Sequence, residues 1–360
     1  MQWHIARPQT CLGALLLMMA PLMYNGCARE IVMSARPRTS VVADTLETHP
    51  RASQLHEDAN VPGLARRWQL AGDENDTTLL DPRLQAVSVR FVAVVDQGAN
   101  KIVLIDARSG QVIRAFGTKG RGPGELLGVM GIAFLGVDTL AVFDAANVAI
   151  KLFTVEGKWI RNIRAQLASA NGACSAGGGL SVLATVGRRE VQIVPHDSTA
   201  ATFIDRIWPG DVEEDALRRQ QLIATDYESG TCYTIKVYDG RISELFGSKI
   251  IRRAELYSGG PEPVIRTKTS GSRKELVKTV EGEQTASGFC VSRDFLIVLR
   301  QSSPSKKGLD IFAKHSLRFL ASVPISKETA AISCAGTFLT TLSYSDGLTS
   351  IEGYELVSNR

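Results

Sequence analysis

The chain has 360 residues, of which 41 are Lys or Arg and 37 are Asp or Glu, so its formal net charge is +4. This length suffices for two average domains or for one large repetitive all-β domain. The charges of both signs are interspersed without a long basic run, which argues against nucleic acid as a partner because phosphate binding needs clustered Lys and Arg.

The first 26 residues predict export. Arg7 precedes an apolar segment, residues 12–23, that is too short to span a bilayer as a mature helix, and a small residue, Gly26, precedes Cys27. The segment resembles a bacterial lipoprotein signal, which implies cleavage after Gly26 and a lipid on Cys27. An ordinary secretory signal, giving a periplasmic or secreted protein, and an uncleaved anchor are the alternatives.

The residues after the predicted lipidation site bear on localisation. In lipoproteins of this kind Asp after the cysteine keeps the protein at the inner membrane, so Ala28 implies the outer membrane, with the protein facing the periplasm or the cell surface. Residues 27–63 are polar, lack a strand pattern and are predicted to be a tether. His49 and His56 fit a solvated linker better than a metal site.

From residue 64 to 360 the sequence predicts strands. Apolar runs of four to eight residues, separated by Gly, Asn, Asp and Ser, are typical of antiparallel strands, and here they recur as six units of four strands, a period typical of propeller blades. The predicted blades cover about 87–117, 131–164, 172–207, 215–247, 286–323 and 330–357. The inner pair of the fourth blade is the weakest part of this pattern.

One strand is missing at the end of the chain and one is spare at its start. The sixth unit lacks an outermost strand, and the strand at 65–71 has no neighbouring partner. We therefore predict an all-β, six-bladed β-propeller of four-stranded antiparallel blades whose last blade is closed by the N-terminal strand. The segment 248–287 is read as a long excursion between blades over one face of the ring.

Six cysteines are present, and four of them lie in the predicted propeller. Their spacing contains no C-x-x-C pair and matches no zinc site. We interpret Cys174, Cys232, Cys290 and Cys334 as buried free cysteines, although export would permit disulfides among them in a pairing that the sequence leaves open.

Two turns carry Asp and Asn. Asp96 and Asn100 flank one turn, and Asp144 and Asn147 flank another that is one residue shorter. Their side chains can hydrogen-bond to nearby backbone and tolerate the left-handed conformation, so we predict that they stabilise hairpins. A calcium site is the alternative.

A basic, glycine-rich loop, residues 117–125 (GTKGRGPGE), follows the first blade. It is no phosphate cradle, because it lacks the G-x-x-x-x-G-K-[ST] pattern and no helix follows it. Its glycines suit tight turns between blades. Lys119, Arg121 and Glu125 are candidate ligand- or partner-binding residues, with an Arg121–Glu125 salt bridge as the alternative.

Signals for catalysis are weak. The sequence around Ser175 comes near the G-x-S-x-G elbow but lacks its first Gly and a following helix, and only His196 and His315 follow the tether. We predict no catalytic residue, metal or cofactor. Trp68, Trp159 and Trp208 are expected to pack between blades, with a stacking platform for a sugar or peptide as the alternative.

The first blade and the loop after it resemble the NHL-type six-bladed propeller family. The residues that show this resemblance are VVDQGANKIVLIDARSGQVIRAFG, followed by GRGPGELL. In addition, ARRWQL is similar to the strand that precedes blade one in exported bacterial propeller lipoproteins. Lys101 and Ala149 depart from the Arg that is frequent in the repeat. The resemblance implies the fold but no fixed function, since related rings include scaffolds, calcium lactonases and zinc-dependent amidating lyases.

The sequence therefore favours a non-enzymatic binding module or scaffold in the bacterial cell envelope. The expected partner is an envelope protein, peptide or glycan, bound on the ring face built by the glycine-rich loop and residues 248–287. A metal-dependent hydrolase or lyase acting in the central channel is the main alternative, and a purely structural role in an envelope complex is the third.

Overall fold

The computed structural model describes residues 62–71, 79–164, 170–176, 179–186, 189–195, 202–204, 221–247, 249–257, 265–270, 273–278, 286–303, 306–345 and 348–358. The predicted signal and nearly all of the predicted tether, with Cys27, lie outside these residues, as does Trp208. Residues 37–265 and 278–360 form one compact unit, and residues 266–277 belong with residues 1–36 to another. All the four-stranded sheets described below lie in the first unit, whereas the two-stranded hairpin of residues 265–278 falls mainly in the second.

Five antiparallel sheets are each built from four consecutive strands, which we call blades 1 to 5. Blade 1 contains β2 (Pro82–Val87), β3 (Phe91–Asp96), β4 (Lys101–Asp106) and β5 (Val112–Phe116). Two short strands follow, β6 (Thr118–Lys119) and β7 (Glu125–Leu126). Blade 2 contains β8 (Val129–Leu135), β9 (Thr139–Asp144), β10 (Ala149–Thr154) and β11 (Trp159–Arg164), with a 3₁₀ turn at Ala145–Asn147.

The later blades follow the same order. Blade 3 contains β12 (Ala170–Ala176), β13 (Gly179–Val186), β14 (Arg189–Pro195) and β15 (Thr202–Ile204). Blade 4 contains β16 (Gln221–Asp226), β17 (Thr231–Lys236), β18 (Arg241–Phe246) and β19 (Lys249–Glu255). A separate hairpin, β20 (Ile265–Ser270) and β21 (Arg273–Lys278), precedes blade 5, which contains β22 (Gly288–Val291), β23 (Phe295–Ser303), β24 (Lys306–Ala313) and β25 (Phe319–Ile325).

The remaining four-stranded sheet joins the two ends of the described chain. Its strands are β26 (Thr329–Ala335), β27 (Phe338–Ser345), β28 (Leu348–Ser358) and, as the outermost strand, β1 (Pro62–Ala71). β1 runs antiparallel to β28, with Pro62 opposite Ser358 and Ala71 opposite Ser350. For reference this sheet is labelled blade 6, after its place at the end of the chain order. The fold is an all-β propeller of four-stranded antiparallel blades.

The first strands of the blades contact one another in sequence. β2 contacts β8, β8 contacts β12, β12 contacts β16, β16 contacts β22, β22 contacts β26, and β26 contacts β2. The two ends of each blade can then be distinguished. The hairpin end carries the turns between the first and second and between the third and fourth strands, whereas the connector end carries the middle turn and the link to the next blade.

The middle strands of blade 1 are apolar along their whole length because both of their faces are covered. Val92–Val95 and Ile102–Ile105 are at most 1% exposed. Ala93 and Val95 belong to the core shared with blade 2, whereas Val92 and Val94 belong to the core shared with blade 6. Alternate side chains therefore pack on opposite neighbours, and a continuous apolar run replaces the alternation of a half-exposed strand.

Trp68 ties blade 6 to blade 1, as expected for packing between blades. Its indole is 9% exposed, its Nε1 donates to the carbonyl oxygen of Ala107 at 2.7 Å, and its ring centroid lies 6.1 Å from that of Phe338. A Cβ at Gly110, whose φ is +74°, would approach the indole to 2.6 Å. Trp159 differs, because its side chain is 41% exposed on the outermost strand of blade 2.

Two blades differ from their predicted boundaries. Blade 1 begins at Pro82 and not near Val87, since residues 88–90 form the turn after the first strand. In blade 4 the second strand is Thr231–Lys236, and the fourth is Lys249–Glu255, which the prediction assigned to the long excursion. The excursion is thus shorter than 248–287, and much of it lies outside the described residues.

The expectation of free cysteines is wrong. Cys174 of β12 is bonded to Cys232 of β17, with 5.9 Å between their Cα atoms, and Cys290 of β22 is bonded to Cys334 of β26, with 5.4 Å. The first disulfide joins blades 3 and 4, and the second joins blades 5 and 6. Both lie on inner strands, where adjacent blades approach most closely.

Candidate functional site

The glycine-rich loop, residues 117–125, is a fixed structure between blades 1 and 2. β6 pairs with β7 in parallel, and the backbone N–H of Gly120 donates to the carbonyl of Leu126 at 3.0 Å. The Glu125 carboxylate accepts the N–H of Gly122 at 2.6 Å. A Cβ at Gly120 would collide with that carboxylate, so this glycine gives Glu125 room to brace the loop from within.

Blade 2 supports the loop from below with a buried lysine. The Lys151 side chain is 1% exposed, and its Nζ donates to the carbonyl oxygens of Gly122, at 3.3 Å, and Glu125. The same ammonium lies 3.5 Å from the fully buried Asp144 carboxylate. Asn147 adds a hydrogen bond from its Nδ2 to the carbonyl of Gly120 at 3.1 Å. The loop is therefore pre-ordered by charge-assisted hydrogen bonds.

The three predicted binding residues divide into two roles. Glu125 is partly buried and bonded to the loop backbone, and no Arg121–Glu125 ion pair is present. Lys119 and Arg121 are exposed, and neither makes an ion pair with a described residue. The loop thus presents two cations on a fixed backbone and uses its carboxylate internally.

The turn residues Asp96 and Asp144 do more than stabilise their hairpins. Asp96 accepts the N–H of Ala99 in its turn at 3.2 Å and also those of Leu80 and Asp81 at 2.8 and 2.9 Å. Asp144 likewise accepts hydrogen bonds from the N–H groups of Leu127 and Gly128, at 3.1 and 3.0 Å. Each aspartate therefore holds the segment that enters the first strand of its own blade.

The two turns have the same length. Asp96 pairs with Lys101, and Asp144 pairs with Ala149, so four residues lie between the paired positions in both. Asn100 adopts the left-handed conformation (φ +52°), as Asn tolerates, but in the second turn Val148 adopts it (φ +51°). The expectation of an extra residue in the first turn was wrong, because Asn147 is not the counterpart of Asn100.

A cavity of about 120 Å³ lies among the first strands of the blades. Most of its described lining is apolar, and it includes Cys290 and Cys334 of one disulfide. The polar lining consists of Gln85, Thr225, Tyr227 and Ser333. Burial raises the pKa of Tyr227 to about 12. No carboxylate is among the described lining residues, which also contain, with the rest of the described chain, no group of three His, Cys, Asp or Glu placed to hold a metal ion.

A larger groove, of about 680 Å³, lies between blades 4 and 5 at their hairpin ends. It contains three ion pairs, Asp226–Lys314 at 3.0 Å, Glu228–Arg293 at 2.7 Å and Glu244–Arg252 at 3.0 Å. The Arg252 guanidinium also donates to the carbonyl oxygens of Lys314 and His315. Two of the three pairs join blade 4 to blade 5, so these charges serve the contact between the blades more than the binding of a charged ligand.

Ser175 and His315, two residues considered for catalysis, lie in different blades. Ser175 lies on β12, where its backbone N–H donates to Thr225 Oγ1 at 3.1 Å. His315 lies in the last turn of blade 5 beside Arg252, and His196 lies outside the described residues.

No helix in the described part of the chain is long and apolar enough to cross a membrane.

Comparisons with known proteins identify the fold. No family model and no curated protein matches the chain. The structure is similar to that of a DUF4221-family member from Bacteroides vulgatus, with a TM-score of 0.57 and 12% identity over 83% of this chain and 99% of that one. It is also similar to a protein from Bacteroides fragilis thought to be exported, with a TM-score of 0.55 and 11% identity over 86% and 98% of the two chains. At these identities the likeness establishes a shared fold only.

The sequence pattern did not reveal the buried cations. Lys151 stands in the middle of AIKLF and Lys314 directly after LDIFA, and both side chains are at most 6% exposed. A lysine inside an otherwise apolar strand was a usable signal for Lys151. The partner of Lys314 is 88 residues away, and no local pattern points to it.

Proposed function

We propose that this protein is an exported, non-enzymatic six-bladed propeller of the NHL type that is anchored in the outer membrane by a lipid on Cys27. It binds an envelope protein, peptide or glycan through the glycine-rich loop between blades 1 and 2. The main support for this proposal is the way in which the loop is built. Lys119 and Arg121 are exposed on a backbone that Lys151 and Glu125 hold in place.

A closed ring of six blades is supported by the contacts among first strands, which return from β26 to β2. It is also supported by blade 1, whose two faces pack on blades 2 and 6. Pairing of β1 with β28 supplies the strand that blade 6 would otherwise lack. A ring of this kind leaves no open sheet edge at the junction of the chain ends.

Export is supported by two disulfides, which persist in oxidising compartments and are rare in the cytosol. The predicted signal and the name of the similar Bacteroides fragilis protein agree with this. A metal-dependent hydrolase or lyase in the central channel gains no support from the described lining of this small cavity, which includes no carboxylate and no histidine.

The loop cations indicate the chemistry of the partner. A pre-ordered loop loses little conformational entropy on binding, so two exposed cations are available to an acidic group. We expect the partner to carry carboxylates, as in an acidic peptide or a uronic-acid glycan. Lys151 can contribute only indirectly, by fixing the loop.

The test is titration of the purified full-length protein with a glutamate hexapeptide and with an oligouronate. The double variant Lys119→Ala/Arg121→Ala should weaken binding at least tenfold, about 1.4 kcal/mol. The matched control is Lys158→Ala/Arg318→Ala, which removes two exposed cations from the last turns of blades 2 and 5. Equal losses in the two variants, or no binding of either probe to the wild type, would contradict the proposal.

A further inference from the structure

The chain preceding Pro62 leaves the propeller at a defined end. Pro62 is opposite Ser358, at the finish of β28, and Leu356 donates to the carbonyl of Thr337 in the first turn of blade 6. That turn is joined to the first turn of blade 5 by the bond from Arg293 N–H to Gly336, at 2.7 Å. Arg293 also reaches Glu228 in the first turn of blade 4. The N-terminal chain therefore emerges at the hairpin end.

The exposed apolar side chains are concentrated at the same end. Among residues whose exposure is described, thirteen large hydrophobic side chains are exposed. Only Leu80, Met130, Val148 and Leu348 lie at the connector end, and the other nine lie in hairpin-end turns or at the adjoining ends of strands. Val89, at 55%, and Phe246, at 48%, are among the most exposed of those nine. Exposed apolar side chains are therefore more numerous at the end from which the N-terminal chain leaves.

We propose that the hairpin end rests on the lipid surface to which the chain is anchored. This inference rests on the lipid at Cys27 in the proposed function. The anchor attaches through the chain that leaves at the hairpin end, so that end is held near the bilayer. A coil the length of residues 28–61 would span roughly 30 Å on average, which keeps the propeller within reach of the membrane.

The charges of the hairpin end fit the interfacial zone of a bilayer. Exposed charges of both signs lie in its turns, among them Arg90, Asp138 and Lys158, and can stay at the level of the headgroups. In the groove between blades 4 and 5, ion pairs such as Glu228–Arg293 neutralise each other. Contact would therefore depend on apolar side chains such as Val89, Val137 and Trp159 entering the boundary between headgroups and acyl chains, where an aromatic ring with a polar N–H is favoured. The connector end, with both ends of the glycine-rich loop attached to it, would remain in water.

Site-directed labelling of the full-length lipoprotein tests this arrangement. Single cysteines replace Val89 or Val137 at the hairpin end, and Met130 or Val148, of similar exposure, at the connector end. Each variant is labelled with an environment-sensitive fluorophore and added to preformed vesicles of phosphatidylethanolamine and phosphatidylglycerol. Reference spectra come from the same labelled proteins in buffer without detergent. For these, a protease first cuts the tether, and the vesicles are then removed.

The labels at 89 and 137 should shift to the blue on vesicles and be quenched by bromine-labelled lipid, whereas those at 130 and 148 should keep their reference spectra. Equal quenching at all four positions, or none at any, would overturn the inference. Mass spectrometry of Cys27 in the same preparation separates the two proposals. An acylated Cys27 with unshielded labels defeats this inference alone, whereas an unmodified Cys27 defeats the anchoring on which it rests.

Discussion

Two buried lysine–aspartate pairs in the propeller do different work. Lys151 and Asp144 face each other at 3.5 Å inside blade 2, on neighbouring strands, and together they fix the loop that precedes the blade. Lys314 and Asp226 meet at 3.0 Å across the junction of blades 4 and 5. The first pair organises a candidate binding element, whereas the second holds two blades together.

The difference shows where charge is placed in this fold. Blade 1 has Val103 at the position that Lys151 occupies in blade 2, although both blades carry the turn aspartate. The lysine is thus not required by the blade itself. It serves the glycine-rich loop, whose Gly122 and Glu125 carbonyl oxygens accept hydrogen bonds from its ammonium group.

Replacing Asp144 by Ala should give the largest loss. The variant leaves the Lys151 ammonium buried without its counter-ion and removes the acceptor for the N–H groups of Leu127 and Gly128. We expect the free energy of unfolding to fall by about 3–5 kcal/mol in urea titrations. Asp106→Ala removes a turn aspartate that is only partly buried and bonds to Ser109 in its own turn, and serves as the control. Equal losses in the two variants would show that the buried pair has no special weight.

Breaking the disulfide between Cys290 and Cys334 should cost somewhat less. The double change to Ser opens a loop spanning 44 residues between blades 5 and 6, and we expect a loss of about 2–4 kcal/mol, measured by urea unfolding. The Cys174–Cys232 bond, which spans 58 residues, is the matched comparison and should give a similar loss. A negligible effect of both would mean that packing alone holds the inner strands.

Lys314→Met tests the junction of blades 4 and 5, which no disulfide among the described residues crosses. Asp226 keeps two other donors, the N–H of Glu228 and the hydroxyl of Ser229, so we expect a smaller loss of about 1–3 kcal/mol. The melting temperature of the variant measures it. A loss as large as that of Asp144→Ala would mean that the two pairs are energetically equivalent.

The smallest expected effect is on the free energy of unfolding at alkaline pH, and it concerns Tyr227. Burial raises its pKa to about 12, so the folded state favours the protonated phenol. Its stabilising contribution is complete below the unfolded value near pH 10 and is lost as the pH rises towards 12. Tyr227→Phe should therefore lose stability less steeply than the wild type over this interval, as followed by urea unfolding at several pH values. Parallel curves would contradict the assignment.

Strand rhythm predicted most of the fold because both faces of each inner strand are apolar. Runs such as FVAVVD and KIVLID are continuously apolar. The strand predicted at 65–71 without a neighbouring partner pairs with β28, in the last unit. The predicted blade 4 ended at residue 247, one strand too early, because its second strand, TCYTIK, includes Thr and Lys and lacks the apolar run of the other inner strands. Its burial comes from neighbouring blades, which a local pattern does not contain.

The candidate site was predicted only in part. Lys119 and Arg121 stood out because a basic loop rich in glycine is conspicuous in any sequence. The supports beneath it, Lys151 and Asn147, act on backbone carbonyls, which every residue has, so no residue type marks the contact in advance. The disulfides were missed for a similar reason, since their partners are brought together by the order of the blades.

The most direct test of the proposed binding role is photo-cross-linking in intact cells. A photoreactive residue replaces Pro123, within the glycine-rich loop, and in a parallel strain it replaces Ser316, in the last turn of blade 5. We expect one dominant cross-linked envelope partner from position 123. This partner should be lost when Lys119 and Arg121 are both changed to Ala, and it should be absent from position 316. The same partner from both positions, or a partner at 123 that survives loss of both cations, would contradict it.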